Sequence, residues 1–203
     1  MHSTPLIAKA LNVAAKLHDG QYRKGKSKLP YITHPMTVAM IVSKYTDDEE
    51  IIASALLHDT IEDTEYAEDE LRRDFGNRVC GIVMGVTSPE AMSGTRAEHW
   101  HRYVLVLRKG PPESAMVAAA DKIHNFRSTL ETYGNDASAF VQDFRGSPEE
   151  RIAAYEEIVS VLTEKLSGDS ILDELQLAWQ EYRAFIESVK IRLHHHDAKP
   201  TGV

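Results

Sequence analysis

One cysteine, Cys80, is all this chain of 203 residues contains, so no internal disulfide can form and folding must rest on packing alone. No apolar run approaches the roughly 20 residues that a membrane helix needs. The amino terminus has no charged start followed by a long apolar stretch, so the cytoplasm is the expected compartment. Positive charge is also short: 23 Lys and Arg stand against 31 Asp and Glu, a formal net charge of -8. That balance argues against a nucleic-acid groove, which needs a basic stripe to displace counterions from phosphates. A small anionic ligand is still compatible, because it requires only a local cluster of cations or a metal ion. Sustained period-two alternation is missing, and so is any repeat of about 20 to 50 residues.

Helical periodicity fills the space left by these absences. Leu6, Ala10, Val13, Ala14 and Leu17 recur at three- and four-residue intervals behind Thr4-Pro5, a cap and a first-turn proline. Asp19-Gly20 ends that helix, and Gln21 to Pro30 reads as a basic loop with Arg23, Lys24, Lys26 and Lys28. Pro35 starts a second helix. Asp47 or Asp48 caps a third, whose apolar run from Ile51 to Leu57 delivers His58-Asp59 at its end. Two short helices meet at Gly76-Asn77, another covers Glu98 to Arg108, and a long apolar one runs from about Ser114 to Leu130. Two more follow Gly146-Ser147-Pro148 and Asp169. The expected fold is all-α, a bundle of about eight to ten helices. Residues 1–193 are expected to form one domain, with 194–203 as a disordered tail in which the three histidines do nothing.

The chemistry lies where ionisable residues break into this apolar helical sequence. His34, His58, Asp59 and Asp121 do so at three separated places. Burying such groups unpaired costs several kcal/mol, so they need partners, and one shared divalent ion would satisfy all four. Two imidazoles with two carboxylates suit manganese, iron or zinc. Glu62 and Asp63 follow one helical turn after His58 and Asp59 and can share their face. A carboxylate pair there could orient a water, take its proton or protonate a leaving oxygen. The plain alternative is a solvated acidic face, which Glu65, Glu68 and Asp69 continue. Arg23 and Lys24 offer stacking on a purine and a point charge for phosphate, or else a solvated basic loop. Asn125 and Arg127 on the Asp121 helix are open in the same way.

Four segments then carry a resemblance. His18-Asp-Gly-Gln-Tyr-Arg-Lys-Gly25, Pro30-Tyr-Ile-Thr-His-Pro35, Ala55-Leu-Leu-His-Asp-Thr-Ile-Glu-Asp-Thr64 and Ala120-Asp-Lys-Ile-His-Asn-Phe-Arg127 resemble, in order and spacing, the HD-type hydrolase domain of the Rel/SpoT proteins. The resemblance covers the first two-thirds of the chain. It implies that His34, His58, Asp59 and Asp121 hold one manganese ion, other transition metals being admissible, and that Glu62 and Asp63 are the catalytic pair. It further implies that Arg23 packs on guanine, that Lys24 binds phosphate, and that Asn125, Lys122 and Ser128 line the nucleoside pocket. The implied reaction removes the 3′-pyrophosphate of guanosine tetra- or pentaphosphate, leaving GDP or GTP. With no room for a synthetase domain, the expectation is a stand-alone hydrolase, monomer or homodimer, without nucleic-acid or membrane partners.

Three departures bear on substrate choice. Lys26 to Leu29 lengthens the spacer after the basic pair. Val117 to Ala120 is apolar where the family commonly has a basic residue before the metal aspartate. Thr87 to Pro112 does not resemble the family's linker. The competing readings are an HD phosphohydrolase of another nucleotide, such as an adenine alarmone, a nucleoside monophosphate or NADPH, and a catalytically idle nucleotide sensor.

Overall fold

The computed structural model describes residues 4–25, 27–88, 95–144 and 146–197. They form ten helices: α1 (Pro5–Leu17), α2 (Thr33–Val42), α3 (Glu49–Leu57), α4 (Thr60–Asp63), α5 (Glu68–Met84), α6 (Arg96–Lys109), α7 (Pro112–Tyr133), α8 (Ala137–Asp143), α9 (Pro148–Lys165) and α10 (Ile171–Asp197). No strand is present among the described residues, only an isolated antiparallel bridge between Tyr22 and Pro30.

Local chemistry explains where the helices start. Side-chain oxygens of Thr4, Asp48, Thr95, Asp136 and Ser147 accept backbone N–H groups of the first turn in α1, α3, α6, α8 and α9. Each satisfies a donor that has no partner inside the helix. Gly76 interrupts α5 with φ +85, a conformation that costs a side-chain-bearing residue more than glycine, which produces the break expected at Gly76-Asn77.

Packing follows from which faces are apolar. Every residue of α3 from Ile51 to Leu57 is buried, and a helix apolar all round belongs in the interior. It packs against α1, α2 and α5. The 22-residue α7 is the second buried axis and touches α2, α3, α9 and α10. Ala118, Ala119 and Ala120 on α7, with Ala53 and Ala55 on α3, have no exposed surface beyond 1%, and such small side chains allow close helix approach. An aromatic cluster of Phe126, Tyr155, Trp179 and Tyr182 joins α7, α9 and α10.

The structure departs from the sequence reading at three places. The second helix begins at Thr33, so His34 and Pro35 both lie in its first turn. A short helix, α8, occupies a stretch to which the sequence pattern assigned no element; Asp136 caps it and Phe140 anchors it in the core. At the carboxyl end α10 continues through Asp197, so the backbone of 194–197 is helical where a tail was expected, while 198–203 lie outside the described residues. The long spacer after Lys24 includes Lys26, and the linker includes 89–94, which also lie outside them.

Candidate functional site

Four helices bring the ionisable residues together. His34 comes from the first turn of α2, His58 and Asp59 from the junction where α3 ends and α4 begins, and Asp121 from the middle of α7. Nε2 of His34 stands 3.3 Å from Asp59 Oδ2 and 3.2 Å from Asp121 Oδ1. Nε2 of His58 stands 3.1 Å from Asp59 Oδ1 and 3.8 Å from Asp121 Oδ1. One ligand atom each from His34, His58 and Asp121 lies within 4.8 Å of the other two. His58 is almost completely buried, yet its Nε2 has no hydrogen-bond partner. A buried nitrogen left this way, among two carboxylates and a second imidazole, fits a divalent cation between His34, His58 and Asp121, with Asp59 against both histidines.

The electrostatics agree with a cation site. Burial works against the charged form of Asp59, but the neighbouring His58 and His34 hold its pKa well below the usual carboxylate range. Burial likewise opposes charge on Asp121, and the Lys122 ammonium, then His34 and His58, outweigh it. His58 is pulled upward by Asp59 and Asp121 despite its burial. Lys122, also buried, is held charged by Asp121, whose Oδ2 accepts from Nζ at 2.6 Å, and its ammonium sits 4.8 Å over the Tyr103 ring.

These side chains are themselves tied down. Nδ1 of His58 donates to the Ala55 carbonyl at 2.8 Å. Nδ1 of His34 faces Nδ1 of His124 at 2.6 Å. The Tyr31 hydroxyl donates to Asp59 Oδ2 at 2.7 Å, and Asn125 Nδ2 donates to Asp121 Oδ1 at 2.6 Å.

These groups sit in a cleft of about 650 Å³ that Glu62, Asp63, Arg23 and Asn125 also line. Solvent reaches Glu62, yet protein surrounds its carboxyl: burial pushes its pKa up to about 7, with Asp59 and Asp63 adding to the rise and the Ser88 backbone and Lys122 opposing it. Asp63 is also raised, by burial and then by Asp59. Its backbone carbonyl accepts from Gln21 Nε2 at 2.8 Å, and Gln21 Oε1 in turn accepts from His18 Nδ1 at 2.7 Å.

The HD domain family matches residues 10–145. The chain belongs to that family. It is 34% identical over 159 residues to the Danio rerio protein named guanosine-3′,5′-bis(diphosphate) 3′-pyrophosphohydrolase MESH1, covering 71% of this chain and 87% of that one. It is 39% identical over 125 residues to a GTP pyrophosphokinase of Streptomyces coelicolor, but there the match covers 60% of this chain and 14% of the relative. The chain therefore spans a small part of the long relatives it matches. Its fold is similar to that of a solved structure titled "A metazoan ortholog of SpoT hydrolyzes ppGpp and plays a role in starvation responses", with a TM-score of 0.74, 23% identity, and 89% of this chain and 97% of that one covered.

Within this HD domain the remaining candidates are unevenly placed. Arg23 Nη2 donates to Asn125 Oδ1 and to Ser128 Oγ, both at 3.2 Å. Asp121, Asn125 and Ser128 share a face of α7 at i, i+4 and i+7. Lys122 lines the cleft, though its ammonium is already engaged by Asp121. Lys24 does not line it: with Nζ 4.7 Å over the Phe144 ring, it borders a second cavity of about 470 Å³. Arg127 points away to Glu174 on α10.

Sequence reasoning gave no role to Tyr31, Gln21 or His124, although each lies in a quoted motif. It also missed the wall that α6 contributes. Arg96, His99, Trp100 and Tyr103 all line the cleft, and their i, i+3, i+4, i+7 spacing was a signal available in the sequence. No helix among the described residues is long and apolar enough to cross a membrane.

Proposed function

We propose that this HD domain, acting as a single catalytic domain, hydrolyses the 3′-pyrophosphate of guanosine tetra- or pentaphosphate with manganese held by His34, His58, Asp59 and Asp121. The observation that supports the reading is the convergence of His34, His58 and Asp121, with Asp59 against both histidines, beside Glu62 and Asp63 in one cleft with Arg23 and Asn125. The name of the Danio rerio relative supports the same reaction. When bound, the ion supplies neutralising charge for the diphosphate and acidifies water.

The chain's own residues carry the rest. Water adds to phosphorus, the bond from phosphorus to the 3′ oxygen breaks, and that oxygen leaves with a proton, giving pyrophosphate and GDP or GTP. Glu62 is the group for the proton transfers, since a carboxyl with a pKa near 7 takes up and releases a proton at neutral pH. Asp63, held through its backbone by Gln21, completes the pair. Arg23, steadied by Asn125 and Ser128, offers its planar guanidinium to the purine. Lys24 meets phosphate at the edge of the neighbouring cavity, and Lys122 contributes positive charge to the wall.

The test is incubation of the purified protein with manganese and guanosine tetraphosphate, followed by ion-exchange separation of the products. GDP and pyrophosphate in equal amounts are expected. Metal-loaded protein that yields neither, or that releases orthophosphate instead, would overturn the assignment.

A further inference from the structure

We infer that His124 is a positioning residue for the metal site, acting as a neutral hydrogen-bond acceptor that keeps the proton of His34 on Nδ1 and its lone pair on Nε2. The inference rests on the reading of His34 as a metal ligand. It goes beyond that reading by assigning a role to a residue outside the ligand set.

The geometry carries the argument. The His34 and His124 rings lie within 22° of parallel with centroids 4.9 Å apart, while their Nδ1 atoms are 2.6 Å apart. That combination describes two imidazoles joined edge to edge by a hydrogen bond in a common plane. Two ring nitrogens at that distance share one proton, so one donates and the other accepts. His34 Nε2 faces Asp59 and Asp121 at 3.3 and 3.2 Å, the point where the cation would sit, and a ligating nitrogen carries no proton. The proton of His34 must then be on Nδ1. His124 Nδ1 accepts it, and His124 keeps its own proton on Nε2.

The other imidazole ligand is held by a different device serving the same end. His58 Nδ1 donates to the Ala55 carbonyl, an acceptor that no side-chain substitution removes. His34 depends instead on a side chain from α7, three residues after Asp121 and one helical turn along the same face. One helix thus supplies a ligand and the group that orients a ligand on α2. Partners of this kind fix ring orientation and raise ligand basicity, and losing one typically lowers metal affinity about 10- to 100-fold.

The experiment compares manganese affinity by titration calorimetry in wild type, His124→Leu and His124→Asn. Asparagine can place Oδ1 where Nδ1 of His124 stands and accept the same proton, whereas leucine cannot. His124→Leu should weaken manganese binding about 10- to 100-fold, and His124→Asn should recover most of it. A second readout uses nitrogen NMR of zinc-loaded wild type, in which His124 should be protonated at Nε2. Leucine binding as tightly as wild type, asparagine losing as much as leucine, or a proton on Nδ1 of His124 would each overturn the role. If wild type binds neither ion, the metal reading fails first and takes this one with it. Binding by wild type and His124→Leu alike removes only His124.

Discussion

Replacing Lys122 by methionine separates the two positive charges that Asp121 can answer to. The Lys122 side chain is 11% exposed, its ammonium lies 2.6 Å from Asp121 Oδ2, and methionine keeps most of the stem that packs near Tyr103. Removing one member of a buried ion pair costs about 3–5 kcal/mol, because the other is left charged and unpaired. Here Asn125 Nδ2, which donates to the other carboxylate oxygen at 2.6 Å, offsets part of that loss, so the low end, about 3 kcal/mol, is expected for metal-free protein. For a chain of this size that is roughly 6–12 °C in Tm. A divalent cation between the ligands would neutralise Asp121 without help from Lys122, so saturating manganese should recover much of the loss. By linkage, whatever is recovered must reappear as tighter manganese binding, tenfold for each 1.4 kcal/mol or so. Thermal unfolding in EDTA and in excess manganese, with calorimetric titration of both proteins, closes the cycle. Equal destabilisation with and without manganese would refute the reasoning.

Three further outcomes are expected. Asp59→Ala should abolish manganese binding and turnover, whereas Glu62→Gln should keep the ion and lower kcat about 10²- to 10⁴-fold; metal analysis of both purified variants, beside the product assay, tests the division of labour. Glu174 accepts from Tyr45 and Arg127, and although burial opposes it these partners hold its pKa below the ordinary carboxylate value. Its stabilisation is complete above that ordinary value and lost as pH falls through the lowered one, so Tm of Glu174→Gln should drop less than that of wild type between about pH 5 and pH 3. Gly85→Ala would set a Cβ 2.9 Å from the Cβ of Ser114, whose hydroxyl is bonded to the Ile82 carbonyl; circular dichroism melts should show a loss of about 1–3 kcal/mol, and an unchanged melt would mean α7 can shift there.

How much of this could be read from sequence depended on the range of the interaction. Thr4 and Asp48 cap helices a few residues away, so their roles were legible, as was the burial of an unbroken apolar run from Ile51 to Leu57. The meeting of His34, His58 and Asp121 was legible because burying several ionisable groups demands a common partner. Asp136 and Phe140 are too few signals to reveal a seven-residue helix, and α8 went unseen. His124 drew no role because its partner is 90 residues away, and the contact of Arg23 with Asn125 spans 102. Lys24 follows Arg23 directly, yet loop geometry sends the two into different cavities, which no local pattern encodes.

The face of α7 that carries Asp121, His124, Asn125 and Ser128 works as a ruler. Seven residues at about 1.5 Å each put roughly 10 Å between the aspartate at the cation point and the serine beneath Arg23. That span belongs to a single hydrogen-bonded rod clamped by α2, α3, α9 and α10, so it cannot stretch to suit a longer or shorter ligand. Residues may be gained in the loop after Lys24 without altering it. One residue inserted between Asp121 and Ser128 would swing the serine about 100° around the rod and away from the guanidinium. Divergence in what this fold recognises is therefore free on the loop side and graduated in whole helical turns on the other.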